Sequence, residues 1–276
     1  MAKSPFSRAL RTVVAAGATA MITLLPAPAA AQAGPGPLPS PGRLSADLGV
    51  PTVDRLAADL GLPGAPAPAS APRRPDCGVE RCVALTFDDG PERATTMPLL
   101  DTLERKNARA SFFVIGRKIA GNEDVLRRMT RLGMDVENHT WDHPDLRRLP
   151  ADAVTAQIRR TTDAITRTTG VAPRYVRPPY GSWTPGVTPT AGLEPALWEV
   201  DTRDWESLDT ARVVRAALAG ARPGAVILMH DVHPSTVAAV PAIIDGLRER
   251  GLTPVSLRDL RGVAPRPAAA PGPAPL

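Results

Sequence analysis

Short apolar runs alternate with amphipathic helical patterns between residues 83 and 255. The run Val83–Phe87 has the length and bulk of a buried strand, and a leucine stripe in the next segment predicts a helix near 94–106. By the same criteria we predict further strands at 110–115, 134–137, 174–176, 196–200, 225–229 and 252–255, and helices near 122–132, 151–168, 209–219 and 236–249. Strand–helix alternation over about 190 residues indicates an α/β fold with a parallel sheet, and about seven strands favour a closed (β/α) barrel over a doubly wound sheet.

The strand at Val83–Phe87 ends in two adjacent carboxylates, Asp88 and Asp89, after which Gly90-Pro91 turns the chain. A single Asp in this position is typical of an Asx-type turn. Two carboxylates directly after a buried strand each need a cation or a hydrogen-bond donor. In (β/α) barrels the carboxyl ends of the strands form the face that carries the active site, so we expect these partners there.

All four histidines of the chain, His139, His143, His230 and His233, follow directly or closely on predicted strands. His139 and His143 are four residues apart, so a helical turn would bring their imidazoles to one side. An H-x-x-x-H pair alone is equally typical of polar loop histidines. Two imidazoles with one carboxylate, however, are a common zinc site for hydrolytic chemistry, and the strand-end Asp pair offers that carboxylate.

The two ends of the chain have compositions that differ from its centre. Residues 1–33 resemble a secretion signal, with three basic residues, a mostly apolar stretch Thr12–Leu25 and small residues at a cleavage site. An uncleaved anchor is the alternative, but the apolar stretch is shorter than the roughly 20 residues of a membrane span. Residues 34–75 form a Pro/Ala/Gly-rich linker, 76–262 the catalytic domain and 263–276 a Pro/Ala-rich tail.

Charge and cysteine content restrict the partners. Removing the three basic residues of the predicted signal lowers the formal net charge from +5 to +2, which gives little reason to expect a nucleic-acid partner. We expect a monomer with no stable membrane span after cleavage. Cys77 and Cys82 are the only cysteines, and in an exported chain they favour a local disulfide over a metal site, because no third soft ligand is nearby.

Five segments in order resemble the motifs of the polysaccharide deacetylase family, also called the NodB-homology family or carbohydrate esterase family 4. They are Thr86-Phe87-Asp88-Asp89-Gly90, His139-Thr140-Trp141-Asp142-His143, Arg177-Pro178-Pro179-Tyr180, Asp201-Thr202-Arg203-Asp204-Trp205 and Leu228-Met229-His230. The resemblance covers roughly residues 80–261 and implies a distorted (β/α) barrel of the NodB-homology type. It also implies metal-dependent removal of acetyl groups from carbohydrate.

The resemblance assigns a role to each matching residue. Asp88 would be the general base, while Asp89, His139 and His143 would hold a divalent metal, which we expect to be zinc, with cobalt or another divalent ion as alternatives. His230 would be the acid that protonates the departing amine. An amide is a poor electrophile with a poor leaving group, so both the metal and the acid have a chemical reason to be present.

Further matching residues would support this machinery. Arg177 would orient the base and Asp204 the acid through ion pairs; ordinary structural salt bridges are the alternative. The backbone N–H at Tyr180 would stabilise the oxyanion, although this side chain could simply pack. Trp205 and Leu228 would wall a pocket for the acetyl methyl group, and both are also compatible with ordinary barrel core.

Several residues depart from the pattern or lie outside it. Trp141 and Trp183 are candidate sugar-stacking platforms or caps of the barrel, and we expect a rim position for His233. The segment 181–195 carries prolines and glycines where the family commonly has a helix, which leaves one wall of the cleft undefined. Glu137 occupies a position that commonly holds a small residue, so it either supports the metal loop or points outward.

Together these features predict a secreted, metal-dependent deacetylase that acts on N-acetylglucosamine-type glycan of the cell wall or of chitin-like oligosaccharides. An acetylxylan O-acetyl esterase is the nearest alternative, because the same machinery cleaves esters more easily. A glycan-binding barrel without turnover is a second alternative, although all metal, base and acid positions are present. A two-carboxylate glycosidase would leave the histidine pair without a role.

Overall fold

The computed structural model describes residues 74–182, 192–264 and 266–267. Its strands are β1 Cys82–Asp88, β2 Ser111–Val114, β3 Asp135–Asn138, β4 Val171–Ala172, β5 Tyr175–Val176, β6 Glu194–Pro195, β7 Val200–Asp201, β8 Val226–His230, β9 Thr253–Val255 and β10 Arg266–Pro267. Its helices are α1 Arg93–Arg105, α2 Glu123–Arg131, α3 Ala151–Thr169, α4 Asp204–Ser207, α5 Thr210–Gly220, α6 Pro234–Glu249 and α7 Leu257–Leu260. Short 3₁₀ turns occur at Gly116–Lys118, Leu146–Arg148 and Pro179–Gly181.

Strand β1 is the centre of a parallel sheet with the order β6-β5-β3-β2-β1-β8-β7. On one edge it pairs with β8, and on the other edge its first residues pair with β9 and its last residues with β2. The helices α1, α3, α5 and α6 follow strands, as expected for parallel strands that need crossover connections. This mostly parallel α/β half-barrel confirms the predicted fold of a distorted (β/α) barrel with about seven strands.

The alternation of side chains along β1 separates two layers of core. Val83, Leu85 and Phe87 pack in the large cluster that includes leucines of α1, whereas Ala84 belongs to the smaller cluster with Phe113, Tyr175 and Leu257. Because successive side chains of a strand point to opposite faces, Thr86 and Asp88 lie on the same side as Ala84. The inner face of β1 therefore leads directly to the first carboxylate of the pair.

One predicted strand was wrong. The segment 196–200 is irregular up to residue 199, and strand pairing is limited to β6 before it and β7 at its end. The carbonyl oxygens of Ala196 and Leu197 accept hydrogen bonds from the Arg177 side chain. These groups therefore bind a side chain from another part of the chain instead of extending a ladder.

The amino end of the barrel is closed by a buried ionic cluster around α7. Nε of Arg258 donates to Oε1 of Glu137 at 2.6 Å, and the backbone N–H groups of Arg174 and Tyr175 donate to Oε2 of Glu137. Burial raises the pKa of Glu137 to about 7, although the Arg258 charge opposes the shift. Neither expectation for Glu137 holds. Its carboxylate points inward and binds Arg258 and the N–H groups of Arg174 and Tyr175, away from the loop that carries His139 and His143.

Features at the margins of the domain complete the fold. Cys77 and Cys82, the first residue of β1, form a disulfide, as predicted. β10, within the predicted tail, pairs antiparallel with β4. The predicted signal and nearly all of the predicted linker lie outside the described residues. Among the helices of the described part, none combines the length and apolar character that a membrane crossing requires.

Candidate active site

A buried ion pair joins the end of β1 to the loop after β5. Nη1 of Arg177 donates to Oδ1 of Asp88 at 2.7 Å and to the hydroxyl of Thr86 at 2.8 Å. Both charged side chains are buried, Arg177 fully and Asp88 almost fully. Burial lowers the pKa of Arg177, while the Asp88 charge opposes that shift. Asp88 therefore has the cation that its burial requires.

The Arg177 guanidinium is fixed on several sides. Nε donates to the carbonyl oxygen of Ala196 at 3.0 Å, and the guanidinium lies over the ring of Phe113 at 4.0 Å from its centroid. The family resemblance implies an orienting ion pair for Arg177, and the structure brings this residue together with Asp88. Its carbonyl and ring partners come from strands and loops far apart in the sequence, so no local pattern reveals them.

Asp89, His139 and His143 meet beside Asp88. Nε2 of His139 and Nε2 of His143 each lie 3.4 Å from Oδ1 of Asp89, and the potential ligand atoms of the three residues lie within 4.8 Å of one another. The two imidazole rings meet edge to face with centroids 4.8 Å apart. Three residues that are distant in the sequence thus present one oxygen and two nitrogens to a common point.

The loop that carries the two histidines is not a helical turn, contrary to the expectation from their spacing. Thr140 and His143 have positive φ angles of 67° and 64°, and the N–H of Thr140 donates to Oδ1 of Asn138 at 2.8 Å. Nδ1 of His139 lies 2.7 Å from the carbonyl oxygen of Arg177. A carbonyl oxygen can only accept, so Nδ1 carries a proton and Nε2 is the ring nitrogen that faces Asp89.

The donor set fits a divalent metal ion. Oδ1 of Asp89 is buried and has no hydrogen-bond partner among the described residues, which is costly unless a cation completes it. Burial opposes ionisation of Asp89, yet the nearby imidazoles, His139 foremost, outweigh it and hold the pKa of Asp89 below its usual range. Burial, together with His139, lowers the pKa of His143 and so favours the neutral imidazole that binds metals. Two imidazoles and one carboxylate suit zinc and similar ions.

A second charged pair lies at the end of β8. Nδ1 of His230 lies 2.8 Å from Oδ1 of Asp204, and Oδ2 of Asp204 accepts from the backbone N–H of His230 and from the hydroxyl of Thr236, both at 2.7 Å. Burial works against the charged imidazole, but the hydrogen bond and charge of Asp204 outweigh it and raise the pKa of His230 to about 9. The same contact lowers the pKa of Asp204 despite its burial. His230 is therefore protonated at neutral pH.

One cavity of about 500 Å³ joins these groups. Its lining residues are Asp88, Asp89, His139, His143, Pro178, Tyr180, Trp198, Asp201, Trp205, Leu228 and His230. All three residues predicted to contact substrate, Tyr180, Trp205 and Leu228, lie on its wall. Tyr180 is 71 % exposed and its ring packs edge to face against His143, whereas Leu228 is only 4 % exposed.

Three lining residues had no predicted role: Pro178, Trp198 and Asp201. Pro178 and Asp201 belong to the five motifs, so their position in the sequence was the available signal. Trp198 lies in the segment predicted as a strand, where an aromatic residue is typical of core packing. Its ring approaches Gly181 so closely that a Cβ there would lie 3.1 Å from the indole.

The remaining candidates lie at the margin. The Trp141 ring is covered by the guanidinium of Arg160, 3.6 Å from the ring centroid, and packs against the core, so it caps the helix layer. His233 precedes α6 with its ring centroid 6.0 Å from that of His230. Trp183 and residues 184–191 of the atypical segment lie outside the described residues.

The sequence of this chain matches a known protein family. The polysaccharide deacetylase family model matches residues 76–192. A chitooligosaccharide deacetylase of Bradyrhizobium is 39 % identical over 194 residues, which cover 64 % of this chain and 89 % of the relative. The chain belongs to the polysaccharide deacetylase family. The assignment by five motifs is thus confirmed.

Other members of the polysaccharide deacetylase family are similarly related. The peptidoglycan-N-acetylglucosamine deacetylase PgdA of Listeria monocytogenes is 38 % identical over 197 residues, or 71 % of this chain, but the match spans only 42 % of that relative's length. The solved structure of the peptidoglycan deacetylase PdaC from Bacillus subtilis superimposes with a TM-score of 0.64 at 36 % identity, covering 67 % of this chain and 91 % of PdaC as solved. The polysaccharide deacetylase fold is therefore shared over the described domain.

Proposed function

We propose that this chain is an exported, divalent-metal-dependent deacetylase. Its reaction is hydrolysis of N-acetyl groups on N-acetylglucosamine-type glycan, either peptidoglycan or a chitin-like oligosaccharide, with release of acetate. The observation that carries the proposal is one cavity that contains the Asp89–His139–His143 donor set between two buried charged pairs. The named activities of the peptidoglycan and chitooligosaccharide deacetylases that it resembles support the same reaction.

Asp89, His139 and His143 would hold the metal, and zinc is the ion that this donor set suits well. A divalent ion held by these residues would supply Lewis-acid polarisation of a carbonyl group and would lower the pKa of water. His139 is prepared for this role, because the hydrogen bond from its Nδ1–H to the Arg177 carbonyl oxygen orients the ring.

Asp88 is the base in the proposed reaction. It lines the cavity directly beside the three donors, with Oδ2 3.7 Å from Nε2 of His139. Arg177 occupies Oδ1, so the other carboxylate oxygen is the one that accepts a proton from the attacking water. Because Arg177 is bound on several sides, it keeps the Asp88 carboxylate in a fixed orientation.

His230 is the acid. Asp204 accepts the Nδ1–H, so Nε2 is the ring atom that delivers a proton to the leaving amine. The raised pKa keeps this proton available at neutral pH, when an amine anion would otherwise be too poor a leaving group.

Substrate contacts follow from the walls of the cavity. The backbone N–H at Tyr180 would donate a hydrogen bond to the oxyanion that develops on the acetyl group. Leu228 and Trp205 form the apolar wall for the acetyl methyl group. Trp205 and Trp198 also provide aromatic surface near the sugar, because Trp205 is half-exposed and Trp198 lines the same cavity.

The proposal extends to the parts of the chain outside the described domain. Residues 1–33 would direct export and be removed, and 34–75 would act as a spacer between the cleavage site and the catalytic domain. The mature protein would then act as a monomer on extracellular or cell-wall glycan. The Cys77–Cys82 disulfide agrees with an oxidising location.

The deciding experiment measures acetate released from peptidoglycan, chitooligosaccharides and acetylxylan by metal-free protein before and after addition of zinc or cobalt. We expect metal-dependent acetate release from an N-acetylated glycan and at least a roughly 100-fold loss in Asp88→Asn. Asp124→Asn, an exposed carboxylate on α2, is the matched control and should retain full activity.

Each other result has a definite meaning. Faster release from acetylxylan than from N-acetylated glycan would identify an O-acetyl esterase instead. Binding of glycan without acetate at full metal occupancy would identify a glycan-binding barrel. Full activity of Asp88→Asn would exclude the proposed base.

A further inference from the structure

Asp231 is a fully buried carboxylate that the proposed reaction does not use. It follows His230 at the end of β8, where its own N–H points to the carbonyl oxygen of Asp88 at 3.4 Å. Fully buried acidic residues are rare unless a neighbouring group pairs with them. The neighbours of Asp231 are Gly90 and Thr96.

The Asp231 carboxyl group packs directly against Gly90, the residue after the metal-binding candidate Asp89. A Cβ added at Gly90 would overlap both carboxylate oxygens of Asp231. Gly90 does not have a positive φ angle, so glycine is required here by the close approach of this carboxyl group and not by the backbone conformation.

A hydrogen-bonded chain holds the Asp231 carboxyl group in this position. The hydroxyl of Thr96, which is buried on α1, donates to Oδ2 of Asp231, and the backbone N–H of Glu92 donates to the Thr96 hydroxyl at 2.9 Å. Asp231 therefore connects the end of β8, the start of α1 and the turn after β1. Oδ1 of Asp231 has no partner in the part of the chain that the structure describes.

The turn that Asp231 contacts needs such support. Asp89 has a φ of 74°, a left-handed conformation that Asp adopts more easily than most residues but still at a cost relative to glycine. Among the backbone hydrogen bonds of the described turns and loops, one holds Gly90: the N–H of Ile115 donates to the carbonyl oxygen of Gly90 at 2.9 Å. Without the Asp231 carboxyl group, the turn would have space to relax toward a lower-energy conformation and move the Asp89 carboxylate.

We propose that Asp231 is a positioning residue for the metal site. By packing on Gly90 and accepting from Thr96, it fixes the Asp88–Asp89 turn opposite His230 and thereby sets the affinity for the divalent ion. The inference rests on the proposed metal site. Groups that orient metal ligands commonly change metal affinity by about 10- to 100-fold when they are removed.

The test is calorimetric titration of metal-free protein with zinc and cobalt, with thermal unfolding measured in parallel. Asp231→Ala should raise the metal Kd at least about tenfold, whereas Asp231→Asn should stay within about threefold of wild type, because the amide keeps the shape and an acceptor for Thr96. The matched control is Asp135→Ala, which removes a buried carboxylate at the amino end of β3. It should lower the melting temperature without changing the metal Kd.

Two further variants keep the inference testable if Asp231→Ala does not fold. Thr96→Val removes only the hydrogen bond and should raise the metal Kd several-fold. Gly90→Ala perturbs the same contact from the other side, so its effect and that of Asp231→Ala should be non-additive in the double variant.

The outcomes separate the two proposals. If the wild-type protein binds no divalent ion, the proposed function itself is wrong. Wild-type protein that binds metal, with Asp231→Ala or Thr96→Val inside twofold of its Kd, would overturn the role of Asp231 alone. Additive effects of Gly90→Ala and Asp231→Ala would likewise contradict the contact.

Discussion

Arg177 and Asp88 form an ion pair of 2.7 Å in which neither side chain reaches solvent to any useful extent. One residue ends the central strand and the other follows β5, so the pair spans the interior of the barrel at its carboxyl end. A carboxylate in this position is held in one orientation, and the Arg177 guanidinium balances its charge.

We therefore predict that Arg177→Met both destabilises the protein and abolishes acetate release. Leaving one member of a buried pair unpaired typically costs about 3–5 kcal/mol. The matched control is Arg174→Met, which removes the half-buried partner of the exposed Glu194 and should cost at most about 1 kcal/mol. Urea unfolding and an acetate assay check both effects. A stable and active Arg177→Met would show that Asp88 needs no cation.

We predict that replacing His143 weakens metal binding selectively, whereas replacing His233 does not. His143→Gln should weaken zinc affinity at least about 100-fold, because it removes one of the three proposed protein ligands. His233→Gln is the natural control, since this histidine lies near the cavity but outside the donor set. Zinc should also raise the melting temperature of wild type and of His233→Gln, with little effect on His143→Gln. Equal zinc affinity in the two variants would disprove the assigned ligands.

The His230–Asp204 pair predicts a pH-dependent part of the stability of the metal-free protein. Because the pKa of His230 is raised from an ordinary value of 6.5 to about 9, its contribution is fully present below pH 6.5 and is lost as the pH rises through about 9. Complete loss corresponds to about 3 kcal/mol relative to His230→Gln. Unfolding free energies measured from pH 6 to pH 10 test the size of the effect. An NMR titration midpoint of His230 near 6.5 would contradict it.

Replacing Arg258 in the buried cluster with Asp135 and Glu137 should lower the stability of the protein without changing its catalytic rate. Arg258→Met leaves Glu137 and Asp135 buried without their cation and should cost several kcal/mol, on the scale of about 3–5 for a broken buried pair. Below the unfolding temperature, kcat should stay within about twofold of wild type, because this cluster lies at the end of the barrel opposite the cavity. A large fall in kcat would show that the two ends are coupled.

Much of the site was predictable because it follows from local pattern. The apolar run before Asp88 identifies a buried strand, its alternation directs Asp88 inward, and the carboxyl end of a parallel strand is where such groups meet. His139, His143 and His230 lie at the same face because each also follows a strand. Their contact in one cavity is a consequence of the parallel sheet.

Other features depended on long-range contacts and could not be read locally. Positive φ angles at Thr140 and His143 replace the helical turn that the spacing suggested, and the loop is bound by Asn138 and by Gln157 from α3. The backbone at 196–199 is irregular because the carbonyl oxygens of Ala196 and Leu197 accept hydrogen bonds from the Arg177 side chain and not from a neighbouring strand. Glu137 finds its partner Arg258 more than 100 positions later in the sequence, so its role is invisible before the chain is folded.

The filled interior of the barrel gives the cavity a floor. Leu257, Tyr175 and Phe113 occupy the space from the amino end upward, and the Arg177 guanidinium covers the Phe113 ring beneath Asp88. Under the proposed reaction, acetate forms against this floor while the glycan lies at the open side of the cavity. The acid cannot leave through the packed side chains below, so it departs on the side that the polymer occupies, which couples acetate release to movement of the glycan.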